Sequence, residues 1–167
     1  MNKKIFLFFL LSIGQAFASA DKQSFGGGGL GIFILSRDGS GTGIHFQAHG
    51  GYNFDEAFGL GLHTGYSNVG GVQISVLEFG GFLQWTGQES GIFSRFYLDG
   101  VRASVNGGGS RHGVSGAQMG VSPGAGIGLL IPSEGDFHFA PEIRYNTALL
   151  KQVIHLFSLS FNLIWDF

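Results

Sequence analysis

The C-terminal stretch "HLFSLSFNLIWDF" (155–167) decides the fold class of this chain. Large apolar side chains recur there at every second position, which places them on one face of a predicted β-strand. Six large apolar groups on one face must be covered by protein or by lipid. The apolar set is Phe157, Leu159, Phe161, Leu163, Trp165 and Phe167, and the polar set is Ser158, Ser160, Asn162 and Asp166.

The N-terminus has the three-part pattern of a secretory signal peptide. Lys3 and Lys4 precede an apolar core (5–13), and Ala-Ser-Ala ends the predicted signal peptide of residues 1–20. The apolar core is too short to span a bilayer as a helix, and no stop-transfer pattern follows it. We therefore predict cleavage rather than a retained membrane anchor, which leaves one mature domain, residues 21–167.

The composition excludes several classes of protein. The 167 residues include 31 glycines, 18 phenylalanines, three prolines and no cysteine, so disulfides and an N-terminal lipid anchor on cysteine are ruled out. No apolar run approaches the roughly 20 residues that a membrane-spanning helix requires. The predicted mature chain has seven basic and eleven acidic residues, a net formal charge of −4. This charge argues against a nucleic-acid partner.

Eight segments of the mature chain have the period of two that is typical of β-strands. Five of them alternate cleanly, with large apolar residues against polar residues and glycines. These five are "GIHFQAHGGYNF" (43–54), "AFGLGLHTGYS" (57–67), "GAQMGVSPGAGIGLLI" (116–131), "FHFAPEIRYN" (137–146) and the C-terminal stretch.

The other three segments alternate less regularly. In "LGIFILS" (30–36), Phe33 and Leu35 lie on the face that is otherwise not apolar. In "VQISVLEFGGFLQW" (72–85), the apolar residues move from one face of the strand to the other near 76–78, which predicts a β-bulge. "IFSRFYLDGVRASV" (92–105) places Arg102 on the apolar side, where the strand leaves the hydrocarbon. Eight strands is an even number, as a single-chain bacterial membrane barrel requires.

We therefore predict an all-β fold, an eight-stranded antiparallel up-and-down transmembrane β-barrel. Short turns at 54–57, 86–91 and 132–136 lie at the periplasmic end, and loops at 37–42, 67–71, 106–113 and 147–152 lie at the surface. A soluble barrel with the large residues inside is the alternative, but an eight-stranded lumen is too narrow for them. The predicted aromatic girdle consists of Phe54, Phe58, Trp85, Phe137, Phe139, Trp165 and Phe167 near the periplasmic end, with Phe46, Tyr66 and Tyr145 near the outer end.

From Phe25 to Phe167 the chain resembles the small eight-stranded outer-membrane barrels of Gram-negative bacteria, the OmpA-like and OmpX-like superfamily. "GAGIGLLIP" (124–132) followed by "FHFAPEIRYN" is similar to their penultimate hairpin. The resemblance implies an outer-membrane location and contact with outer-membrane lipid and lipopolysaccharide. It also implies recognition by the barrel-assembly machinery through an assembly signal formed by Phe161, Leu163, Trp165 and Phe167.

Strand registers follow from the predicted turns. A three-residue turn at 55–57 places His49 opposite His63, and His45 opposite Ser67. In the 116–146 hairpin, Ile131 opposite Phe137 places Gly126 opposite Glu142 and Gly124 opposite Arg144. Glycine has no side chain, so a long polar side chain beside it can fill a narrow lumen without clashes.

The inward faces predict a polar network in the lumen, since buried ions must be paired. Its predicted members are His49, His63, Glu78, Arg95, Tyr97, Asp99, Glu142 and Arg144. The pair His49–His63 suggests a metal site, but zinc usually takes three or four protein ligands. The next histidine, His45, lies about 13 Å from His49 along the strand, too far to be a third ligand. We therefore predict polar filling, with no metal and no cofactor.

The sequence offers no catalytic residues. Lipid A deacylases among these barrels carry a His-x-Ser pair near the outer end of a late strand, and Arg144 and Asn146 occupy the similar places here. Neither residue supplies the nucleophile and base of acyl transfer. The prediction is a non-catalytic outer-membrane barrel in envelope structure or surface interaction. A narrow, porin-like pore for small solutes is the alternative, a lipid A-modifying enzyme comes third, and ligand and oligomeric state stay open.

Overall fold

The computed structural model describes residues 24–36, 41–69, 74–87, 90–105, 116–133 and 136–167. These residues form β-strands and connecting turns, and they contain no helix long and apolar enough to cross a membrane. The strands are β1 (Ser24–Ser36), β2 (Gly41–Asn53), β3 (Phe58–Val69), β4 (Ile74–Thr86), β5 (Ile92–Val105), β6 (Gly116–Leu129), β7 (Ile131–Pro132), β8 (Phe137–Leu149) and β9 (Val153–Asp166).

The strands close into one antiparallel barrel. Each long strand pairs with its neighbours in the chain, β9 pairs with β1, and β6 pairs with β8. The two-residue β7 continues β6 beyond Leu130, so β6 and β7 together count as one of the eight strands of the barrel wall. The predicted fold class, an eight-stranded antiparallel barrel, is confirmed.

Exposure alternates between a more buried inner face and a more exposed outer face over most of each long strand, although Ser24 to Gly27 on β1 and His49 to Gly51 on β2 are all buried. On β9 the burial changes at each residue from Val153 to Ile164. Large apolar residues cover the outer wall, with Phe96 and Leu98 on β5 each 65% exposed. The predicted girdle aromatics also lie on this wall: Phe54, Phe58, Trp85, Phe137, Phe139 and Phe167 are exposed and Trp165 is half-buried, while Phe46, Tyr66 and Tyr145 are exposed towards the other end.

The two ends of the barrel differ. At the end that carries Ser24 and Phe167, called the terminal end, Phe167 N–H donates to Ser24 O at 2.9 Å. The turn at 54–57 lies at the same end, where Asp55 Oδ1 accepts from the backbone N–H of Ala57 and Phe58 at 2.7 and 2.8 Å. The opposite end is called the loop end. The signal peptide and most of the predicted surface loops lie outside the described residues.

Strand β4 has no bulge, so that prediction is wrong. Without interruption, Ile74 to Trp85 pair with β3 and Ile74 to Thr86 pair with β5. Val76 and Phe82 are apolar but point into the lumen, which made a regular strand look as if it changed phase. Phe33 and Leu35 on β1 point inward for the same reason, since parts of this lumen are apolar.

The ladder between β6 and β8 is the least complete in the barrel. It omits Ser122 and Pro123 on β6, and it ends before Leu129, which falls opposite Pro141. Proline has no backbone N–H to donate to a ladder. All three prolines of the chain, including Pro132, lie on β6, β7 or β8, which form this seam.

The predicted register of the same seam is wrong by two residues. Gly126 lies opposite Arg144, and Gly128 lies opposite Glu142. Ile131 pairs with Phe139 rather than with Phe137, so the segment that joins the paired residues is two residues longer than predicted. A shift of two residues keeps every side chain on its predicted face.

Candidate functional site in the lumen

Inward side chains fill the lumen in three layers. A loop-end layer is apolar, a central charged layer contains the ionisable groups, and a terminal-end layer is again apolar. The loop-end layer consists of Phe33, Leu35, Val69, Val76, Val101, Ala103, Ala148, Ile154 and Leu156. The terminal-end layer consists of Phe25, Phe82, Phe93, Tyr97, Ala140 and Ile164.

Arg144 is the centre of one ion cluster in the charged layer. Its Nη2 donates to Asp99 Oδ2 and, at 3.4 Å, to Glu78 Oε1, and its Nη1 donates to His63 Nε2 at 2.8 Å. Its Nε donates to Asn146 Oδ1 at 2.8 Å, so donors on all three of its nitrogens have acceptors. All five residues are buried.

Arg95 is the centre of a second cluster. Its Nη1 donates to Glu142 Oε2 at 3.1 Å, and its Nε donates to Gln84 Oε1 at 2.7 Å. The hydroxyl of Tyr97 donates to the other oxygen of the same carboxylate, Glu142 Oε1. The guanidinium carbon lies 4.8 Å from the centre of the Phe82 ring, a cation–π contact.

A chain of neutral hydrogen bonds crosses strands β2, β3 and β9. His45 Nε2 donates to Gln47 Oε1 at 3.2 Å, so its Nδ1 accepts from the hydroxyl of Ser67 at 2.8 Å. Gln47 Nε2 donates to Ser160 Oγ at 3.0 Å and to Asn162 Oδ1 at 2.6 Å. These hydrogen bonds connect buried polar groups to one another without any charge.

His49 differs from every other predicted member of the network. It is buried, and both of its ring nitrogens lack a hydrogen-bond partner. Its neighbours are aromatic: the Phe25 ring lies 6.4 Å away and the Phe82 ring 6.2 Å away, centre to centre. His49 therefore lies at the terminal-end layer rather than in an ion cluster, although it is directly opposite His63 in the ladder.

Glycines make the space for these clusters. A Cβ at Gly65 would lie 3.0 Å from the His45 ring and 3.2 Å from a Glu78 carboxylate oxygen. A Cβ at Gly126 would meet Glu142 Oε1. The inward glycines of β3 and β6 are thus the positions over which long polar side chains lie.

The structure places all eight predicted members of the polar network in the lumen and divides them. Glu78, Asp99, Arg144 and His63 meet in one cluster, Arg95, Tyr97 and Glu142 meet in another, and His49 joins neither. Sequence reasoning missed the neutral partners, which the alternation had placed on inward faces without assigning them a role. These are Gln47, Gln84, Asn146, Ser160 and Asn162.

The geometry supports ion pairing rather than catalysis. Ser67 and His45 form a serine–histidine contact, but the other ring nitrogen of His45 meets an amide and not a carboxylate. Ser67 is completely buried, so no substrate reaches its hydroxyl. Among the described residues, no group of three or more histidine or acidic residues is arranged to hold a metal ion.

The barrel is similar in fold to solved structures of bacterial surface and outer-membrane proteins. Neisserial surface protein A superposes with a TM-score of 0.74 at 16% identity, covering 86% of this chain and 97% of that chain. Ail, the attachment invasion locus protein of Yersinia pestis, gives 0.58 at 13% identity, covering 87% and 100%. The N-terminal β-barrel domain of Pseudomonas aeruginosa OprF gives 0.50 at 13% identity, covering 84% and 99%.

In sequence, no protein-family model and no curated protein matches the chain. At the identities above, the structural likeness establishes the fold alone. That fold is the small eight-stranded barrel of outer-membrane proteins.

Proposed function

We propose that this chain, which has the fold of the small eight-stranded outer-membrane barrels, is a non-catalytic outer-membrane protein with a permanently filled lumen. It acts in envelope structure or in surface interaction. The observation that carries the proposal is the lumen itself, in which buried ion pairs lie between and beside two clusters of buried apolar side chains. Because the lumen is filled, the protein is proposed to contact its partners through the outer wall and the loop end.

The outer wall supports a membrane location. Its exposed residues are large and apolar along every strand, and such a surface is unfavourable in water. Aromatic residues pair across strands near the terminal end, Phe58 with Trp85 and Phe137 with Trp165. Aromatic girdles of this kind mark the interfaces of membrane barrels. In the proposed orientation, the terminal end faces the periplasm.

Polar groups on the outer wall near the loop end suit contact with outer-membrane lipid and lipopolysaccharide. Tyr145 OH and His155 Nδ1 share a hydrogen bond of 2.6 Å, and their rings stack 5.9 Å apart. Arg102 is exposed on the same wall, with Leu77 and Met119 opposite it on the neighbouring strands. A cation at this level suits the phosphate groups of a lipopolysaccharide.

The C-terminal strand is the proposed contact with the barrel-assembly machinery. Phe161 and Leu163 are 47% and 48% exposed on the outer wall, and Phe167 lies at the same face of the strand. Their exposure leaves them accessible to a recognition partner while the barrel is being assembled.

A narrow pore for small solutes is the second candidate. The observation that favours it is the set of buried nitrogens without partners, both ring nitrogens of His49 and Nη2 of Arg95. Ordered water commonly satisfies such groups. The two apolar layers argue against the pore, because a hydrated path would have to pass through both.

A lipid A-modifying enzyme is the third reading. Arg144 and Asn146, at the places of the His-x-Ser pair, are buried in the lumen and hydrogen-bond to each other. Side chains that face the lumen cannot reach a lipid on the outer wall, and this argues against the enzyme.

One deletion experiment separates the three readings in a strain that carries the chain. We expect the deletion to lower resistance to detergents or attachment to surfaces, and to leave small-solute uptake and the lipid A mass spectrum unchanged. Restoration by the wild-type chain is the control. Slower uptake of small solutes would support the pore, and an altered lipid A mass would support the enzyme; either result contradicts the proposal.

A further inference from the structure

Three polar side chains form a cluster on the outer wall near the loop end, on β8 and β9. Tyr145 OH and His155 Nδ1 are 2.6 Å apart, and the two rings stack at an angle of 13° with their centres 5.9 Å apart. Thr147 faces His155 in the ladder, and its hydroxyl donates to Tyr145 OH at 3.4 Å. Both rings are exposed, so these three residues, called the β8–β9 cluster, contact the surroundings of the barrel.

The direction of these hydrogen bonds leaves one donor of the cluster available. Because the Tyr145 oxygen accepts from Thr147, the hydrogen of Tyr145 points towards His155 Nδ1. A neutral His155 ring then carries its hydrogen on Nε2, and a protonated ring carries a hydrogen there as well. In both states the exposed His155 ring therefore offers an N–H donor.

An exposed cation lies beyond the cluster. Lys151 is exposed in the turn at 150–152, which joins β8 to β9. The flexible stem of a lysine allows its ammonium to approach His155 along the apolar wall. The sequence has no acidic residue from 143 to 165, and Arg144 is buried in the lumen and paired there. The exposed charge of this hairpin is therefore positive.

The height of the cluster on the wall places it at the level of lipid headgroups. His155 and Trp165 lie ten residues apart on β9. At about 3.3 Å per residue and a strand tilt of about 40°, ten residues rise about 25 Å, which is the height of the apolar band of a membrane barrel. With Trp165 in the girdle at the terminal end, the β8–β9 cluster lies at the opposite edge of the hydrocarbon.

We propose that the β8–β9 cluster binds the phosphate monoester of an anionic membrane lipid. The phosphate accepts from His155 Nε2 and from the Lys151 ammonium, and the acyl chains lie against the exposed side chains of Phe157 and Leu159. A phosphate monoester carries a charge of about −1.5 to −2, against a single negative charge for a diester, so a cation beside a donor favours the monoester. The inference rests on the proposed outer-membrane location and adds a headgroup chemistry to the proposed lipid contact.

Short-chain lipids in micelles of a neutral detergent test the headgroup. Dihexanoyl phosphatidic acid, a monoester, is titrated into the mature chain (21–167) and is expected to give saturable NMR shifts of the Tyr145 and Thr147 amides. Dihexanoyl phosphatidylglycerol, a diester with the same chains, should bind at least about threefold more weakly. Inorganic phosphate has no acyl chains to bury, and it should bind at least about tenfold more weakly than phosphatidic acid.

Two variants test the residues that contact the phosphate. Lys151→Gln removes the cation, and His155→Phe keeps a ring beside Tyr145 but removes Nε2. Each is expected to weaken phosphatidic acid about threefold or more. Both changes are on exposed side chains, so the barrel is expected to fold as before. Arg102→Gln is the matched control, because Arg102 is an exposed cation of β5 outside the cluster, and it should leave the affinity unchanged.

Four results overturn the proposal. Equal binding of the monoester and the diester makes the cluster a general contact for anionic lipid, and equal binding of inorganic phosphate makes free phosphate the occupant. An equal loss in Arg102→Gln means that the attraction comes from the overall charge of the loop end. Shifts that do not saturate mean that phosphatidic acid has no site here. Detergent resistance, solute uptake and lipid A mass after deletion of the chain are measured separately, so each of these results leaves the proposed function in place.

Discussion

Each buried arginine in the lumen depends on a specific carboxylate. Arg95 has Glu142, and Arg144 has Asp99 together with Glu78 at 3.4 Å. An ion pair taken out of water is stable only if both members stay, since removal of one leaves an uncompensated buried charge. The stability of the barrel is therefore especially sensitive to single substitutions in these ion pairs.

We expect Glu142→Ala to destabilise the barrel by about 3–5 kcal/mol, the usual cost of breaking a buried pair from one side. The variant removes the partner of Arg95 and the acceptor of the Tyr97 hydroxyl together. Urea unfolding of the chain in lipid vesicles measures the difference. Glu142→Gln, which keeps the shape and an acceptor, should lose less, and equal stability of Glu142→Ala and wild type would contradict the buried pair.

The two facing histidines should respond in opposite directions. His49→Leu should leave stability unchanged or raise it, because the change removes two buried nitrogens that have no partner. His63→Leu should destabilise, because it removes the acceptor of an Arg144 donor. Unfolding of the two variants under the same conditions gives the comparison, and a greater loss for His49→Leu than for His63→Leu would be inconsistent with the assigned environments.

At this scale the sequence predicts which side chains enter the lumen but not which ones meet. Alternation alone assigns Glu142 and Arg144 to the inner face. Their partners, Arg95 and Asp99, come from a strand 45 or more residues away in sequence, and pairing across the lumen depends on the barrel's curvature. The alternation of inward and outward side chains along a strand contains no information on that curvature. The prediction therefore groups His49 with ions that it does not contact.

At the scale of strands, a bulge prediction failed and a register prediction was two residues off. Val76 and Phe82 are apolar residues in the lumen, and the alternation of residue types was misleading because apolar layers exist inside as well as outside. The register of the β6–β8 seam depends on hairpin length, which a glycine- and proline-rich turn does not reveal. The β2–β3 register agrees with the structure, because Asp55 fixes that turn.

The β6–β8 seam should be the first part of the wall to separate. The chain has no cysteine, so one engineered disulfide can be compared with another. Val121→Cys with Leu149→Cys spans the seam, and Phe96→Cys with Ala125→Cys spans the complete β5–β6 ladder, both between facing outward residues. The loops are of similar length, and each bond is worth about 3–4 kcal/mol on loop-closure entropy.

We expect the seam disulfide to slow unfolding more than its control, because it joins strands whose ladder is interrupted at Pro123. The temperature at which the folded band disappears on a gel, with and without reductant, is the measurement. A larger effect of the β5–β6 disulfide would show that the interrupted ladder is not the weak part of the wall.

The last strand should matter for assembly more than for the folded state. Deletion of Phe167 should lower the amount of barrel that reaches the membrane, while the fraction that folds should unfold like the wild type. Phe137→Ala is the control, since Phe137 lies opposite Trp165 on the same wall but outside the proposed assembly signal. Normal assembly after the deletion would remove the role proposed for Phe167.

At the scale of the whole molecule, we propose that the lumen is a core rather than a passage. The paired ions are buried, and an apolar cluster lies towards each end of the lumen. The sequence predicts the barrel itself, since eight alternating segments with large residues outward have few other stable arrangements. It does not predict the layering, because neighbouring residues along a strand belong to opposite faces and a layer collects residues from all strands.

Single-channel recording in planar bilayers tests the closed lumen most directly. We predict that the wild-type chain gives no conductance above the bare bilayer, and that Glu142→Ala, which leaves Arg95 unpaired beside the terminal-end layer, gives measurable current. Stable, ion-selective steps from the wild type that Glu142→Ala leaves unchanged would contradict the account and make the narrow pore the better reading.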